Sequence, residues 1–326
     1  MQKIVIIKLG ADGDVLRTIP LVEAIKNKYP DSNITWVTRQ SISEMLIGLP
    51  FVNSVLTLPC ALDESFDRLY NFDMEAEATE LATKIDAKNK YGFYRDGNYP
   101  AAFNTGAEYY LNTVFDDALK KSNKRTYQGM MSELAEIPLS NKRYSLILGE
   151  HERKYAEQFF ARANLEGKKV AGIHMGASAR WPSKVWHPAC LKEFIKIVRE
   201  KGYEVLLFGG PNEAESQKNF VRELQGEKIL VHHNNPTNTK REFAALVEKC
   251  DWVICSDSFA LHVALGLGKK TIALFFCTSP HEVEGYGILR KIVSPYLHDY
   301  FPERSNEYSE HLAKSIPAEQ VIEAMQ

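Results

Sequence analysis

Two carboxylates, Asp12 and Asp14, lie in Lys8-Leu9-Gly10-Ala11-Asp12-Gly13-Asp14-Val15, where an apolar, β-branched run gives way to helical spacing. Gly10 and Gly13 relieve the steric limits on such a turn, and the free N–H groups of a helix start carry partial positive charge. The turn would suit a phosphate, yet acids occupy it, and a carboxylate pair at the mouth of a cleft suits proton abstraction better. Two acids that merely cap the helix fit the same spacing, and the residues leave both readings open. A second turn, Gly172-Ile173-His174-Met175-Gly176-Ala177-Ser178-Ala179-Arg180-Trp181-Pro182, gathers small residues, a hydroxyl and a guanidinium, which suits a diphosphate. Its plainer reading is a surface loop with Trp181 packed and Arg180 solvated. A third stretch, Cys255-Ser256-Asp257-Ser258-Phe259-Ala260-Leu261-His262, puts Asp257 and Ser258 at a helix start and His262 one turn on, on the same face. A capped helix with a core histidine is the alternative there.

The elements that must position these residues alternate along the chain. Residues 4–8 read as a strand, 16–28 as a helix, 34–38 as a strand, 42–47 as a short helix and 54–58 as a strand, a βαβαβ series that predicts a parallel, doubly wound sheet. From about 70 to 142 the periodicity weakens and aromatics crowd together, which reads as an insertion or irregular extension. An extended segment at 144–148 and a connecting helix at 151–165 follow. The second series runs strand 169–174, helix 188–201, strand 204–208, helix 213–224, strand 229–231, helix 241–249, strand 252–255, helix 258–267 and strand 271–275. Two α/β halves facing across a cleft are expected, residues 1–150 and 151–310, with a short terminal helix inside 311–326 packed back on the first half.

Composition narrows the class. The 326 residues carry 40 Lys+Arg against 42 Asp+Glu, a formal charge of −2, so the basic excess needed to neutralise duplex phosphates is missing and nucleic acid is not the expected partner. The length suits two domains at roughly 100–200 residues each. The five scattered cysteines, Cys60, Cys190, Cys250, Cys255 and Cys277, read as reduced thiols rather than a disulfide framework or metal site. No stretch reaches the ~18 apolar residues of a membrane span and the opening run lacks a signal-peptide pattern, so a soluble, cytoplasmic protein is expected.

Taken in order, four motifs resemble glycosyltransferase family 9, the bacterial heptosyltransferases that build lipopolysaccharide inner core from ADP-heptose. They are Leu9-Gly10-Ala11-Asp12-Gly13-Asp14-Val15-Leu16-Arg17-Thr18-Ile19-Pro20; the second turn from His174 to Pro182; Phe208-Gly209-Gly210 followed by Glu213 or Glu215; and Asp257-Ser258-Phe259-Ala260-Leu261-His262 leading to Ala264-Leu265-Gly266. The resemblance implies a GT-B fold, two Rossmann-like doubly wound domains. It implies an inverting, metal-independent transfer with no cofactor beyond the ADP-sugar donor. Asp14 would be the general base, and the second domain would hold the ADP. There Ser178 and Arg180 would meet the diphosphate, Glu213 or Glu215 the ribose, and Asp257, Ser258 and His262 the phosphate at the helix start. The acceptor, a glycan or glycolipid at the inner membrane surface where the protein itself would be at most peripheral, would fall to the first domain, with Asp12 and Arg17 as contacts. Tyr94 and Arg95, in the aromatic cluster of residues 91–110, suit a sugar site by type, and core packing is the other reading for most of those aromatics.

Three positions depart from the family pattern. Ala179 replaces a lysine two residues before Trp-Pro, so Arg180 or Lys184 takes that role; Phe259 stands where glycine is usual; and Phe275-Phe276-Cys277-Thr278 replaces Phe-Gly-Pro-Thr. The alternatives carried forward are another nucleotide sugar, a protein acceptor, and a non-catalytic nucleotide-sugar-binding module. The basic run Lys120-Lys121-Ser122-Asn123-Lys124-Arg125 reads as a solvated loop or as a hold on a phosphorylated or membrane-borne acceptor.

Overall fold

The computed structural model describes residues 1–139, 143–176 and 180–326. It divides into two units: Met1–Ile147 with His281–Glu284, and Leu148–Pro280 with Gly285–Gln326.

In the first unit the strands are β1 (Lys3–Ile7), β2 (Asn33–Thr38), β3 (Ser54–Thr57), β4 (Phe66–Asn71), β5 (Ala87–Asp96) and β6 (Tyr99–Ala102). Ile4, Val5, Ile6 and Ile7 of β1 have no exposed surface, as a parallel strand covered on both faces requires. The spatial order is β3-β2-β1-β4-β5-β6, parallel except for the hairpin that pairs β5 with β6. This is the doubly wound order in which the chain reverses direction across the sheet between β1 and β4. The pairing Ile7↔Asn71 sets the ends of those two strands side by side.

The stretch after residue 70 is therefore no insertion. β4 and β5 complete the sheet, and the aromatics form its packing: Tyr70 stacks on Tyr91 at 4.8 Å, Phe93 lies 6.2 Å from Tyr110, and Tyr110 meets Tyr127 edge-on at 6.0 Å. Gly92 is required here, since φ is +94° and a Cβ would come within 1.9 Å of the Asn71 carbonyl oxygen. The first helix starts earlier than its apolar spacing indicates, at Asp12, and runs to Lys28, with acids in its first turn and Lys26 and Lys28 in its last, as the helix dipole favours. Residues 144–148 form no strand. Tyr144, Leu146 and Leu148 are buried and alternate with exposed Ser145 and Ile147, an extended chain packed by one face.

The second unit repeats the plan with β7 (Lys169–His174), β8 (Tyr203–Phe208), β9 (His232–His233), β10 (Trp252–Ser256), β11 (Lys270–Phe275) and β12 (Leu289–Val293). All pair in parallel in the order β12-β11-β10-β7-β8-β9, so the reversal lies between β7 and β10. The strand expected at 229–231 begins later. The N–H groups of Glu227, Lys228 and Ile229 are used to close the preceding helix, Ala214–Gly226, on the carbonyls of Glu223, Gln225 and Leu224.

The terminal helix corrects a second expectation. Residues 311–326 pack on the second unit, not the first: Leu312, Ile316, Ala318, Val321 and Ile322 belong to the core built by Ile173, Phe194, Leu207 and Ile254. The Trp186 indole N–H donates to the Ile316 carbonyl at 2.9 Å and the His187 N–H to the Ala313 carbonyl at 3.1 Å. These bonds tie the segment to the start of the helix Pro188–Glu200, whose apolar face it covers. Ile316→Ala should therefore destabilise the protein by about 2–5 kcal/mol, the cost of truncating a fully buried aliphatic side chain. A denaturant midpoint equal to the parent's would show that the segment contributes nothing to this core.

Candidate active site

At the reversal point of the first sheet, two strand ends bring four charged groups together. Lys8 follows β1 directly and is 4% exposed, so its ammonium has left water and must be paired. Its Nζ lies 3.3 Å from Asp73 Oδ2 and 3.8 Å from Asp14 Oδ2. Burial on its own would lower the Lys8 pKa, but the facing Asp73, Tyr127 and Asp14 win and raise it above the ordinary lysine value. Asp73, just beyond β4, shows the counterpart. Burial works to raise its pKa, and the Lys8 ammonium with the N–H groups of Glu75, Gly10 and Leu9 overcomes that and holds it below the usual carboxylate range.

The first two turns of the helix Asp12–Lys28 carry the rest. Arg17 places Nη2 2.8 Å from Asp14 Oδ1, with its guanidinium carbon 3.9 Å from the centre of the Tyr127 ring. Thr18 donates its hydroxyl to the Asp14 carbonyl at 2.7 Å and lies 2.9 Å from the Tyr127 hydroxyl. Asp14 thus has one cation against each carboxylate oxygen. It is also the most open member of the group, with 27% of its side chain exposed against 11% for Arg17 and 4% for Asp73. The capping alternative does not hold for it. The N-cap position is Ala11, with no side-chain cap, and the Asp14 carboxylate turns to Arg17 and Lys8. Neither crowding nor a positive φ requires glycine at position 10, since a Cβ there would meet nothing within 4 Å.

Of the acceptor residues expected from the sequence, Arg17 joins this group and Asp12 opens the same helix, half-buried. Tyr94 and Arg95 lie elsewhere, in the hairpin of β5 and β6. Tyr94 stacks on Phe103 at 4.8 Å, and Arg95 donates its Nε–H to the Gly97 carbonyl at 3.0 Å. Lys8, Asp73, Thr18 and Tyr127 went unrecognised as site residues. A charge closing an apolar strand was the available signal for Lys8, and an acid just after a strand end for Asp73.

In the second unit the corresponding strand ends carry a different chemistry. Gly176, after β7, leaves room that Glu213 fills, for a Cβ would come within 2.5 Å of Glu213 Cδ. Glu213 Oε2 accepts from the Gly210 N–H at 2.9 Å. This separates the two ribose candidates: Glu213 lies against both glycine loops, whereas Glu215 is exposed on the first turn of the next helix. His174 sits on the same side, edge-on to Phe243 at 6.0 Å, its pKa lowered by burial against the opposing pull of Glu213.

After β10, Lys184 and Asp257 meet each other. Lys184 Nζ donates to Asp257 Oδ2 at 3.0 Å and to the Asp257 carbonyl at 2.9 Å, and the Ser256 hydroxyl donates to the Lys184 carbonyl. The Lys184 charge is thereby committed to shaping the loop. Ser258 caps the helix Phe259–Gly266 by position, yet its hydroxyl makes no side-chain capping bond and stays buried without a hydrogen-bond partner among the described residues. An unspent hydroxyl beside free helix N–H groups can receive a phosphate oxygen. His262 is buried in that helix. Arg180 is exposed, its guanidinium 4.9 Å from the Trp181 ring. Ser178 lies outside the described residues.

Comparison with known proteins follows from this architecture. The model of glycosyltransferase family 9 (heptosyltransferase) matches residues 57–312. The lipopolysaccharide core heptosyltransferase OpsX of Haemophilus influenzae is 24% identical over 90% of this chain and 85% of its own, and lipopolysaccharide heptosyltransferase 2 of Escherichia coli 22% over 86% and 84%. Among solved structures, a family 9 glycosyltransferase from Veillonella parvula superposes with a TM-score of 0.77 at 19% identity, over 99% of this chain and 95% of its own. ADP-heptose lps heptosyltransferase II of E. coli does so at 0.71 and 19%, over 99% and 97%. These likenesses show the GT-B fold, two Rossmann-like units. With the family model spanning well over half of the sequence, the chain belongs to glycosyltransferase family 9 and is a glycosyltransferase.

Proposed function

We propose that this glycosyltransferase moves heptose from ADP-heptose to a hydroxyl of a lipopolysaccharide core or related surface glycan, in one inverting displacement with Asp14 as general base. The observation that carries the reading is the Asp14 carboxylate itself: half-open at the reversal point of the first sheet, with Arg17 at 2.8 Å and Lys8 at 3.8 Å fixing its two oxygens. Relatives named for lipopolysaccharide core and for ADP-heptose support the choice of acceptor and donor.

The chemistry assigns each unit a task. The acceptor hydroxyl gives its proton to Asp14 as its oxygen bonds to the anomeric carbon. The bond from that carbon to the diphosphate breaks at the same time and ADP leaves with the electron pair. In the second unit the Ser258 hydroxyl, the helix N–H groups beside it and Arg180 would meet the developing phosphate charge, with Lys184 holding Asp257 in place. Glu213 would take the ribose hydroxyls. No metal or further cofactor enters this scheme. No helix among the described residues is long and apolar enough to cross a membrane. A glycolipid acceptor would be met at a membrane surface.

Two outcomes are expected. Asp14→Asn lowers transfer by about 10²–10⁴-fold, the range for losing a general base, and leaves the Kd for ADP within about twofold. Transfer at the parental rate would remove the base assignment. In thermal-shift titrations ADP stabilises the protein, by about 2.7 kcal/mol at a hundredfold excess over Kd, and UDP and GDP do not. Stabilisation by UDP or GDP alone would rule out the ADP-heptose donor.

A further inference from the structure

We propose that Asp73 is a positioning residue for transfer, acting by fixing Lys8 and the Leu9–Gly10 backbone so that the Asp14 carboxylate stays between Lys8 and Arg17. The inference rests on Asp14 being the base. Asp73 cannot itself face a substrate, because it is 4% exposed and its oxygens are filled from within the protein. Oδ2 accepts from the Leu9 N–H at 3.0 Å, the Gly10 N–H at 3.2 Å and Lys8 Nζ at 3.3 Å, and Oδ1 accepts from the Glu75 N–H at 3.0 Å. Asn71 secures Asp73 in turn: its Oδ1 accepts the Asp73 N–H at 3.0 Å, and its Nδ2 donates to the Phe93 carbonyl at 2.7 Å.

The donors on Asp73 are the residues that lead into the catalytic helix. Leu9 and Gly10 precede the N-cap Ala11, and Asp14 lies in the first turn. Asp73 therefore ties β4 to the loop whose path sets the height of Asp14 above the sheet. The Lys8 ammonium stands nearer to Asp73 than to Asp14, so it is anchored on the buried acid and extended toward the open one. Without Asp73 the ammonium has only Asp14 as a carboxylate to pair with, and three backbone N–H groups, those of Leu9, Gly10 and Glu75, lose their acceptor. The base would then be drawn toward Lys8 and away from the acceptor hydroxyl, which costs turnover and leaves donor binding, a task of the other unit, unaltered.

The test measures ADP release from ADP-heptose with a heptose-deficient lipopolysaccharide as acceptor, on the full chain. Asp73→Asn is expected to lower kcat at least about tenfold with the KM for ADP-heptose within about twofold. In an Asp14→Asn background the added Asp73→Asn should change the residual rate by less than about twofold, because a residue acting through Asp14 has nothing left to act on. Parental kcat in Asp73→Asn beside an inactive Asp14→Asn overturns the positioning role alone, and so do losses that multiply in the double variant. Parental kcat in Asp14→Asn overturns the base reading and, with it, the route through Asp14. Should Asp73→Asn fail to give a cooperative melt, Lys8→Met/Asp73→Ala, which buries no unpaired ammonium, is compared with Lys8→Met. A further loss of at least about fivefold is expected from the freed loop; equal kcat would reduce Asp73 to a counter-charge and overturn the proposal.

Discussion

A lysine ammonium held almost out of water at the end of a central strand constrains much of the first unit. Leaving water costs a charge several kcal/mol in a real protein, and only close anions and a fixed geometry offset it. Lys8 meets that condition through Asp73 at 3.3 Å and Asp14 at 3.8 Å, residues delivered by two different elements. The pair can form only if β4 lies beside β1 with Ile7 opposite Asn71, so the charge pairing and the doubly wound strand order depend on each other. The Phe72 N–H donating to the Ile7 carbonyl at 3.0 Å, and the Lys8 N–H to Val37 at 3.1 Å, continue the sheet past the ends of its strands and stitch the loop to both neighbours.

The second unit solves the same topological problem with a different set of groups at its reversal point. Its strand ends offer glycine-lined loops, the Glu213 carboxylate and the unsatisfied Ser258 hydroxyl, and its buried cation Lys184 is spent on Asp257. The difference matches the tasks proposed for the two units. A proton acceptor must be a carboxylate oriented by counter-charges, whereas a leaving diphosphate needs donors already fixed in direction, which backbone N–H groups and a hydroxyl supply. The near-neutral whole chain, 40 basic against 42 acidic residues, conceals this division, because its charge balance also counts surface pairs such as Lys192 with Glu223 and Glu227, which lie away from both reversal points.

What could be read from the sequence was local. The strand–turn–helix around Asp14 and the two turns after β7 and β10 announce themselves by glycine, apolar runs and helical spacing. β4 is not legible because Asp67 and Arg68 interrupt its apolar residues, whereas core packing, the fuller share of the expectation for the aromatics after it, is what Tyr91, Phe93 and Tyr110 do. Long-range pairings were out of reach: Lys8 with Asp73 and Lys184 with Asp257 join residues more than sixty positions apart, and nothing in their neighbourhoods names the partner. Tyr94 and Arg95 suit sugar contacts by type, and the structure sets them in the β5–β6 hairpin, half-buried, rather than beside Asp14. The terminal helix was an error of address, since its apolar face is legible and the surface it covers is not.

The aromatic middle of the chain acquires a second meaning once Tyr127 is placed. Its ring lies under the Arg17 guanidinium and its hydroxyl meets Thr18, so the helix Tyr127–Ala135 grips the second turn of the helix that carries Asp14. Asp14 is thus held from two directions: Asp73 fixes the loop that enters the helix, and Tyr127 fixes the turn that leaves it. Burial divides the labour within the group. Lys8, Asp73 and Tyr127 are closed off and set positions, whereas Asp14 keeps about a quarter of its side chain open. An oriented carboxylate needs such a closed frame, because a base whose supports also met solvent would share their mobility and lose the fixed approach that proton transfer requires.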